Sequence, residues 1–158
     1  MSLIKISPDT HNVQLDLAYA TSNNFTGAPV YTRGGCYLHP EAETMLRKAQ
    51  AYANVLGYRL KIFDAFRPTE AQWKLWEHTP DPDFLADPRR GSPHSRGVAV
   101  DLSLTDFNGT ELEMGTYFDE FTPLSHHGAM DISATAQRNR HLLMGLMTTA
   151  GWDFYQNE

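Results

Sequence analysis

The sequence predicts an α+β domain: a small, mainly antiparallel sheet with helices packed on one side. Three observations carry that reading. Long segments repeat apolar residues at helical spacing, short runs between them alternate as strands do, and Asn108-Gly109 is a hairpin signal joining two strands directly. At 158 residues the chain reads as one domain, 1–158, long enough to bury a core without staples.

The elements follow in order. Residues 40–56 form a helix in which Ala42, Met45, Leu46, Ala49, Tyr52, Ala53 and Leu56 share a stripe. Pro40 suits its first turn and Gly57 its stop. Residues 58–63 alternate as a strand, with Leu60 and Ile62 on one face. Pro68 opens a second helix carrying Ala71, Leu75 and Trp76. The stretch 79–93 holds Pro80, Pro82, Pro88, Gly91 and Pro93, too many breakers for a long regular element. Residues 97–104 read as a strand, and 110–114 return antiparallel to it after the Asn108-Gly109 turn. The last helix spans 133–150 with Leu142, Leu143, Leu146, Met147 and Ala150 buried, and Gly151 ends it. Residues 152–155 read as a closing strand.

Composition narrows the function classes. The formal charge is −6 and no basic stripe alternates with aromatics, so nucleic acid is a poor partner. No apolar run approaches the ~18 residues of a membrane span, and residues 1–5 are too short and mixed for a signal peptide. Cys36 is the single cysteine, which rules out an intrachain disulfide and reads as a small buried hydrophobe.

The chemistry concentrates in Ser92-Pro93-His94-Ser95-Arg96-Gly97-Val98-Ala99-Val100-Asp101. A histidine and a carboxylate stand seven residues apart beside a strand, with glycine at the bend. Strand alternation sends Val98 and Val100 to one face and Asp101 to the other, where Gly97 and Ala99 leave space. Imidazole plus carboxylate is a usual ligand pair for a catalytic zinc, which takes three protein ligands and keeps one open position. Taken alone, the spacing fits a satisfied surface histidine and a strand carboxylate equally well. Arg67 sits where a strand ends and a helix begins, an unfavourable place for a cation unless it meets an anion. A salt bridge to Asp64 or Glu70 would serve as well as a substrate.

Residues 92–101 resemble the Ser-x-His-x-x-Gly-x-x-x-Asp signature of the D-alanyl-D-alanine metallopeptidases, whose zinc fold is shared with lysostaphin-type endopeptidases and the hedgehog domain. Further stretches narrow the resemblance to D-alanyl-D-alanine dipeptidases of the vancomycin-resistance type. They are Tyr19-Ala20-Thr21 with Asn24-Phe25-Thr26-Gly27, Asp64-Ala65-Phe66-Arg67-Pro68, and Met114-Gly115 with Phe118-Asp119.

The resemblance implies one Zn2+ per chain, with His94 and Asp101 as ligands, and a D,D-dipeptide substrate. Arg67 would bind the scissile carbonyl oxygen as it becomes negative. Glu158 would take a proton from the attacking water and pass it to the leaving amine. Asp119 would pair with the substrate's α-ammonium, Ser92 would bind its backbone and Tyr19 would line the pocket. In the family, Glu158 belongs to Glu-x-x-His, whose histidine is the third ligand and would fall three residues beyond Glu158. The expectation is that 1–158 is truncated at its C-terminus, and that a chain ending at Glu158 binds metal weakly and is inactive.

Of the remaining histidines, His126 is expected in a supporting role and His127 not as a ligand, while His11, His39, His78 and His141 read as structural or exposed. The setting implied is the bacterial cytoplasm, with removal of cell-wall precursors or recycling of D-alanine. The periplasm is the alternative if a signal was removed. Two rivals stay open: a D,D-carboxypeptidase or endopeptidase on longer peptidoglycan stems, and a non-catalytic zinc-fold binding module.

Overall fold

A computed structural model describes residues 2–158. Its elements are β1 (Ile4–Ile6), α1 (Pro8–His11), β2 (Gln14–Leu15), β3 (Cys36–Leu38), α2 (Pro40–Val55), β4 (Tyr58–Asp64), α3 (Thr69–His78), β5 (Asp101–Asp106) and α4 (Ala134–Thr149). Short 3₁₀ turns lie at Ala18–Ala20, His94–Arg96 and Pro123–Ser125. The α+β class is borne out. β4 is the centre of a three-stranded sheet, with β2 parallel on one side and β5 antiparallel on the other. β1 and β3 form a separate antiparallel pair.

α2 begins where Pro40 needs no backbone partner and His39 Nδ1 accepts from the Glu41 N–H at 3.2 Å. Its face of Leu46, Ala49 and Ala53 meets Leu60 and Ile62 of β4 and Leu104 of β5, all fully buried. Tyr52 and Leu56, expected on that stripe, are exposed. α4 starts at the Ser133 cap, whose Oγ accepts from Ala136 N at 3.0 Å. It packs on α2 through buried Leu146 and Ala150, with Leu142, Leu143 and Met147 only partly covered. A second apolar cluster holds Tyr19, Val30, Ala71, Leu75 and Leu85, edged by Phe25, Trp76, Phe118 and Phe121.

Several expected elements need correction. The strand predicted over 97–104 begins only at Asp101, because the chain is still leaving the 3₁₀ turn: Gly97 has φ 71° and closes it. Gly97 does not leave space above Asp101. A Cβ there would lie 3.0 Å from the His39 nitrogen, so glycine is needed for a close backbone approach. Val98 is exposed while Val100 packs on the core, so the two valines do not share a face.

The Asn108-Gly109 turn forms, with the Asp106 carboxylate accepting from Asn108 N and Thr110 N. The return strand shrinks to one bridge, Thr105 to Glu111. Residues 152–155 make no strand: Trp152 is buried in the core and Gln156 pairs with His127 instead. Strands β1, β2 and β3 were not foreseen. Cys36 is a buried thiol pushed up to about 12 by burial.

Buried His11 ties α1 to α2. Its Nδ1 accepts from the Thr10 hydroxyl at 2.6 Å, so Nε2–H donates to Glu43 Oε1 at 2.9 Å. Arg47 also donates to that oxygen. Burial alone would raise the Glu43 pKa, but the bonds from His11 and Arg47 outweigh it and hold the carboxyl below its usual range. A depressed folded-state pKa stabilises the fold above the ordinary carboxylate range, and that contribution disappears as pH falls through it. Glu43→Ala should cost about 1–3 kcal/mol in urea unfolding at pH 7, the scale of a buried donor left alone. The difference from the unmodified chain should shrink near pH 3. Equal unfolding midpoints at pH 7 would refute this tether.

Candidate active site

β4 ends in a register shift between Ile62 and Asp64 that sets Asp64 opposite Asp101, the first residue of β5. Pro68 disfavours helical backbone at Arg67, and residues 65–67 form no regular element between β4 and α3. That link builds the site. The Arg67 N–H donates to His94 O at 3.0 Å, and His94 Nδ1–H donates to Ala65 O at 2.8 Å. The second bond fixes the imidazole tautomer and leaves Nε2 facing Asp101 Oδ1 at 3.5 Å. Burial acts to lower the His94 pKa, but Asp101 outweighs it and the net direction is up. Burial acts to raise that of Asp101, and His94 and Arg67 bring it down.

Among the described residues, ligand atoms of Asp64, His94 and Asp101 lie within 4.8 Å of one another. Asp64 is already committed. Its carboxylate is 1% exposed and accepts from Arg67 Nε at 2.9 Å and from the Tyr31 hydroxyl. The His94 nitrogen nearest it is Nδ1, which is spent on Ala65. His94 Nε2 and Asp101 Oδ1 are therefore the free donor pair, and nitrogen with carboxylate oxygen suits zinc.

Arg67 is nearly buried. Besides Asp64 it donates from Nη1 to Gln72 Oε1 at 2.7 Å, and its Nη2 lies 3.6 Å from Asp101 Oδ2. The salt bridge to Asp64 anticipated as the plain alternative is present, and Glu70 is not among its partners. Gln72 in turn donates to Ala86 O at 2.7 Å. Sequence reasoning missed Gln72 and Tyr31. Gln72 had a readable signal, since it stands three residues before Leu75 on the buried stripe of α3. Tyr31 had none.

Tyr19 is 1% exposed, its ring stands 5.1 Å from the Arg67 guanidinium carbon, and its hydroxyl donates to Asp119. Asp119 has φ 58°, left-handed for a non-glycine residue. Burial first, and the Asp101 charge next, push its carboxyl up to about 7. Glu158 is exposed as a residue, yet its carboxyl is also pushed up, to about 9, by partial burial and by Asp101 and Asp119. Ser92 is buried and its Oγ accepts from the His94 N–H at 3.2 Å, so it caps the His94 turn. His126 and His127 stand outside the metal-ligating group, and the buried His126 Nε2 has no hydrogen-bond partner among the described residues.

A family model described as D-ala-D-ala dipeptidase matches residues 2–158. The chain belongs to this family. A D-alanyl-D-alanine dipeptidase of Escherichia coli K12 is 42% identical over 152 residues, covering 96% of this chain and 77% of that protein. One from Enterococcus faecalis is 32% identical, over 94% of this chain and 84% of its own length. One from Streptomyces coelicolor is 33% identical, over 92% and 83%. As a member of the dipeptidase family the chain is a metallopeptidase, and the Asp64, His94 and Asp101 cluster is where its fold gathers metal-ligating groups.

Asp119 makes the metal-free site work against folding. A carboxyl raised to about 7 in the fold binds more protons than in the unfolded chain, so stability falls as pH rises from about 4 to about 7 and then levels. Asparagine tolerates the left-handed conformation and still accepts from Tyr19. Metal-free Asp119→Asn should therefore melt higher than the unmodified protein at pH 8, with the gap closing by pH 4. A gap of constant size across that range would contradict the assignment.

Proposed function

We propose that this chain is a zinc-dependent dipeptidase that hydrolyses D-alanyl-D-alanine. The observation that carries it is the free pair of donors, His94 Nε2 and Asp101 Oδ1 at 3.5 Å, with Arg67 Nη2 held 3.6 Å from the same aspartate. When bound by His94 and Asp101, zinc supplies Lewis acidity that polarises a carbonyl and acidifies water.

The chain's own residues do the rest. Arg67, locked by Asp64 and Gln72, presents a fixed positive charge to the carbonyl oxygen as negative charge develops there. Glu158, as the ionised carboxylate, would accept a proton from the attacking water and hand it on to the leaving amine; positive charge brought to the site would offset Asp101 and Asp119, which push its carboxyl up. Asp119 pairs with the substrate α-ammonium, and Tyr19 holds the carboxylate in place by its hydroxyl. A carboxylate buried beside two others needs such a cation. Ser92 contributes by shaping the His94 turn, with its hydroxyl proton available to the substrate backbone. The setting proposed is the bacterial cytoplasm, where the reaction removes a cell-wall precursor or recycles D-alanine; the periplasm is the alternative. Among the described residues no helix is long and apolar enough to cross a membrane.

In the full-length protein His94→Ala should lose stoichiometric zinc by elemental analysis while circular dichroism remains that of the folded protein. One tightly held zinc per chain in that variant would reject the ligand assignment. N-acetylation of the dipeptide removes the ammonium and should lower kcat/KM by about 2 kcal/mol, roughly 30-fold, the loss expected of a desolvated carboxylate left unpaired. In Asp119→Ala the two substrates should be cleaved alike. If the unmodified enzyme already treats them alike, the substrate is a longer peptide stem.

A further inference from the structure

Between β5 and α4 the chain runs through residues 107–133 with a single bridge and one 3₁₀ turn, and this stretch carries Asp119. A long irregular segment inside a compact fold needs something to hold its shape. Its own short-range bonds, such as Thr122 N to Glu120 O and Ser125 N to Thr122 O, make turns but do not attach it to the body. Tyr19 holds Asp119 itself, Lys61 reaches Glu111, and α4 contributes Asn139 to Glu113 O and Gln137 to Ile132 O, but of the α4 side chains it is Arg140 that bonds both flanks of Asp119.

Arg140 donates from Nε to Met114 O at 2.6 Å and from Nη2 to Leu124 O at 2.8 Å. Further bonds run from Nη1 to His126 O at 3.2 Å and from Nη2 to Thr116 Oγ1 at 3.3 Å. Among the described residues it has no carboxylate within salt-bridge distance. A part-buried guanidinium without a counter-ion is costly, and burial lowers its pKa. What offsets that cost is a fork of donors spread over both ends of the Asp119 segment, a reach that a lysine point charge lacks.

The same fork extends to the C-terminal stretch. His126 O accepts from Arg140, and the next residue, His127, donates its N–H to Gln156 O at 2.8 Å and accepts from Gln156 Nε2 at 2.7 Å. Gln156 stands two residues before Glu158.

We propose that Arg140 is a positioning residue of the dipeptidase, a pin on α4 that holds the backbone stems of Asp119 directly and the Glu158 segment through His127. It touches no substrate and no metal-ligating side chain. This rests on the reading of Asp119 as the ammonium partner, and the test separates the two.

Arg140→Lys and Arg140→Met would be assayed as full-length, zinc-loaded protein on D-alanyl-D-alanine and on its N-acetyl derivative, with zinc content and circular dichroism measured alongside. Both variants should stay folded and keep one zinc per chain, because His94 and Asp101 are held from β4 and β5. Cleavage of the free dipeptide should fall about 10-fold in Arg140→Lys and more in Arg140→Met. Cleavage of the acetylated one should fall less, so the preference between them narrows. A purely structural loss would lower both rates equally and leave the preference intact; that result, or full activity, overturns the proposal. Loss of the folded spectrum in both variants also overturns it, by making Arg140 a folding residue. Absence of any preference in the unmodified enzyme would instead defeat the reading of Asp119.

Discussion

The rest of the site hangs on the buried pair between Asp64 and Arg67. Asp64 closes β4 with its carboxylate out of solvent, and Arg67 follows three residues later, bonded to it through Nε and Nη2. Neither charge could be buried alone, since breaking such a pair leaves an uncompensated ion at a cost of about 3–5 kcal/mol. With both in place, the backbone of residues 65–67 positions His94 by two hydrogen bonds. Tyr31 and Gln72 satisfy the remaining oxygen and nitrogen, so the pair is closed on every side but the one towards Asp101. An electrostatic lock made for the fold also aims the candidate catalytic groups.

The charge balance around that lock is uneven. Asp101, Asp119 and Glu158 all influence one another, and Arg67 is the cation that opposes them. Asp101 is drawn down by His94 and Arg67 while the other two are driven up. A cluster with more carboxylates than cations is stabilised by whatever brings positive charge to it. In the proposed reaction a divalent metal and a substrate ammonium are two such visitors. Perturbation in opposite directions among close carboxylates is the pattern expected where acids and bases divide their tasks.

Much of this was legible in the sequence, and the failures have physical reasons. The helices over α2, α3 and α4 were readable because their apolar residues recur at helical spacing and are bounded by Pro40, Pro68 and Gly151. The Asn108-Gly109 turn was readable because few residue pairs satisfy its backbone angles. Strands of two or three residues, such as β2, carry no periodicity to detect, and their pairing is decided by distant partners. Val98 and Val100 looked like one strand face because alternation was counted from Gly97, which belongs instead to the turn. The smallness of Gly97 was read as room for a ligand, whereas the β3–α2 junction fills that room. His94 and Asp101 were found together because their motif is local, and Arg67 because it stands at a strand-to-helix junction. Gln72 and Tyr31 act across the fold.

The two apolar clusters divide the site between them. Asp101 and His94 are attached to β4 and β5, whose side chains belong to the larger cluster under α2. Tyr19 and the Phe118 beside Asp119 belong to the smaller one, which is built largely from loops and aromatic edges such as Phe25 on Phe121 at 4.9 Å. Cooperative units of this kind open separately, and the unit with fewer buried contacts opens first. Mild heat or denaturant would then loosen the Asp119 side of the site, the proposed grip on the substrate's amino end, while the strands carrying the candidate metal ligands stay closed. The protein would pass through a regime of indiscriminate chemistry before it lost its chemistry altogether.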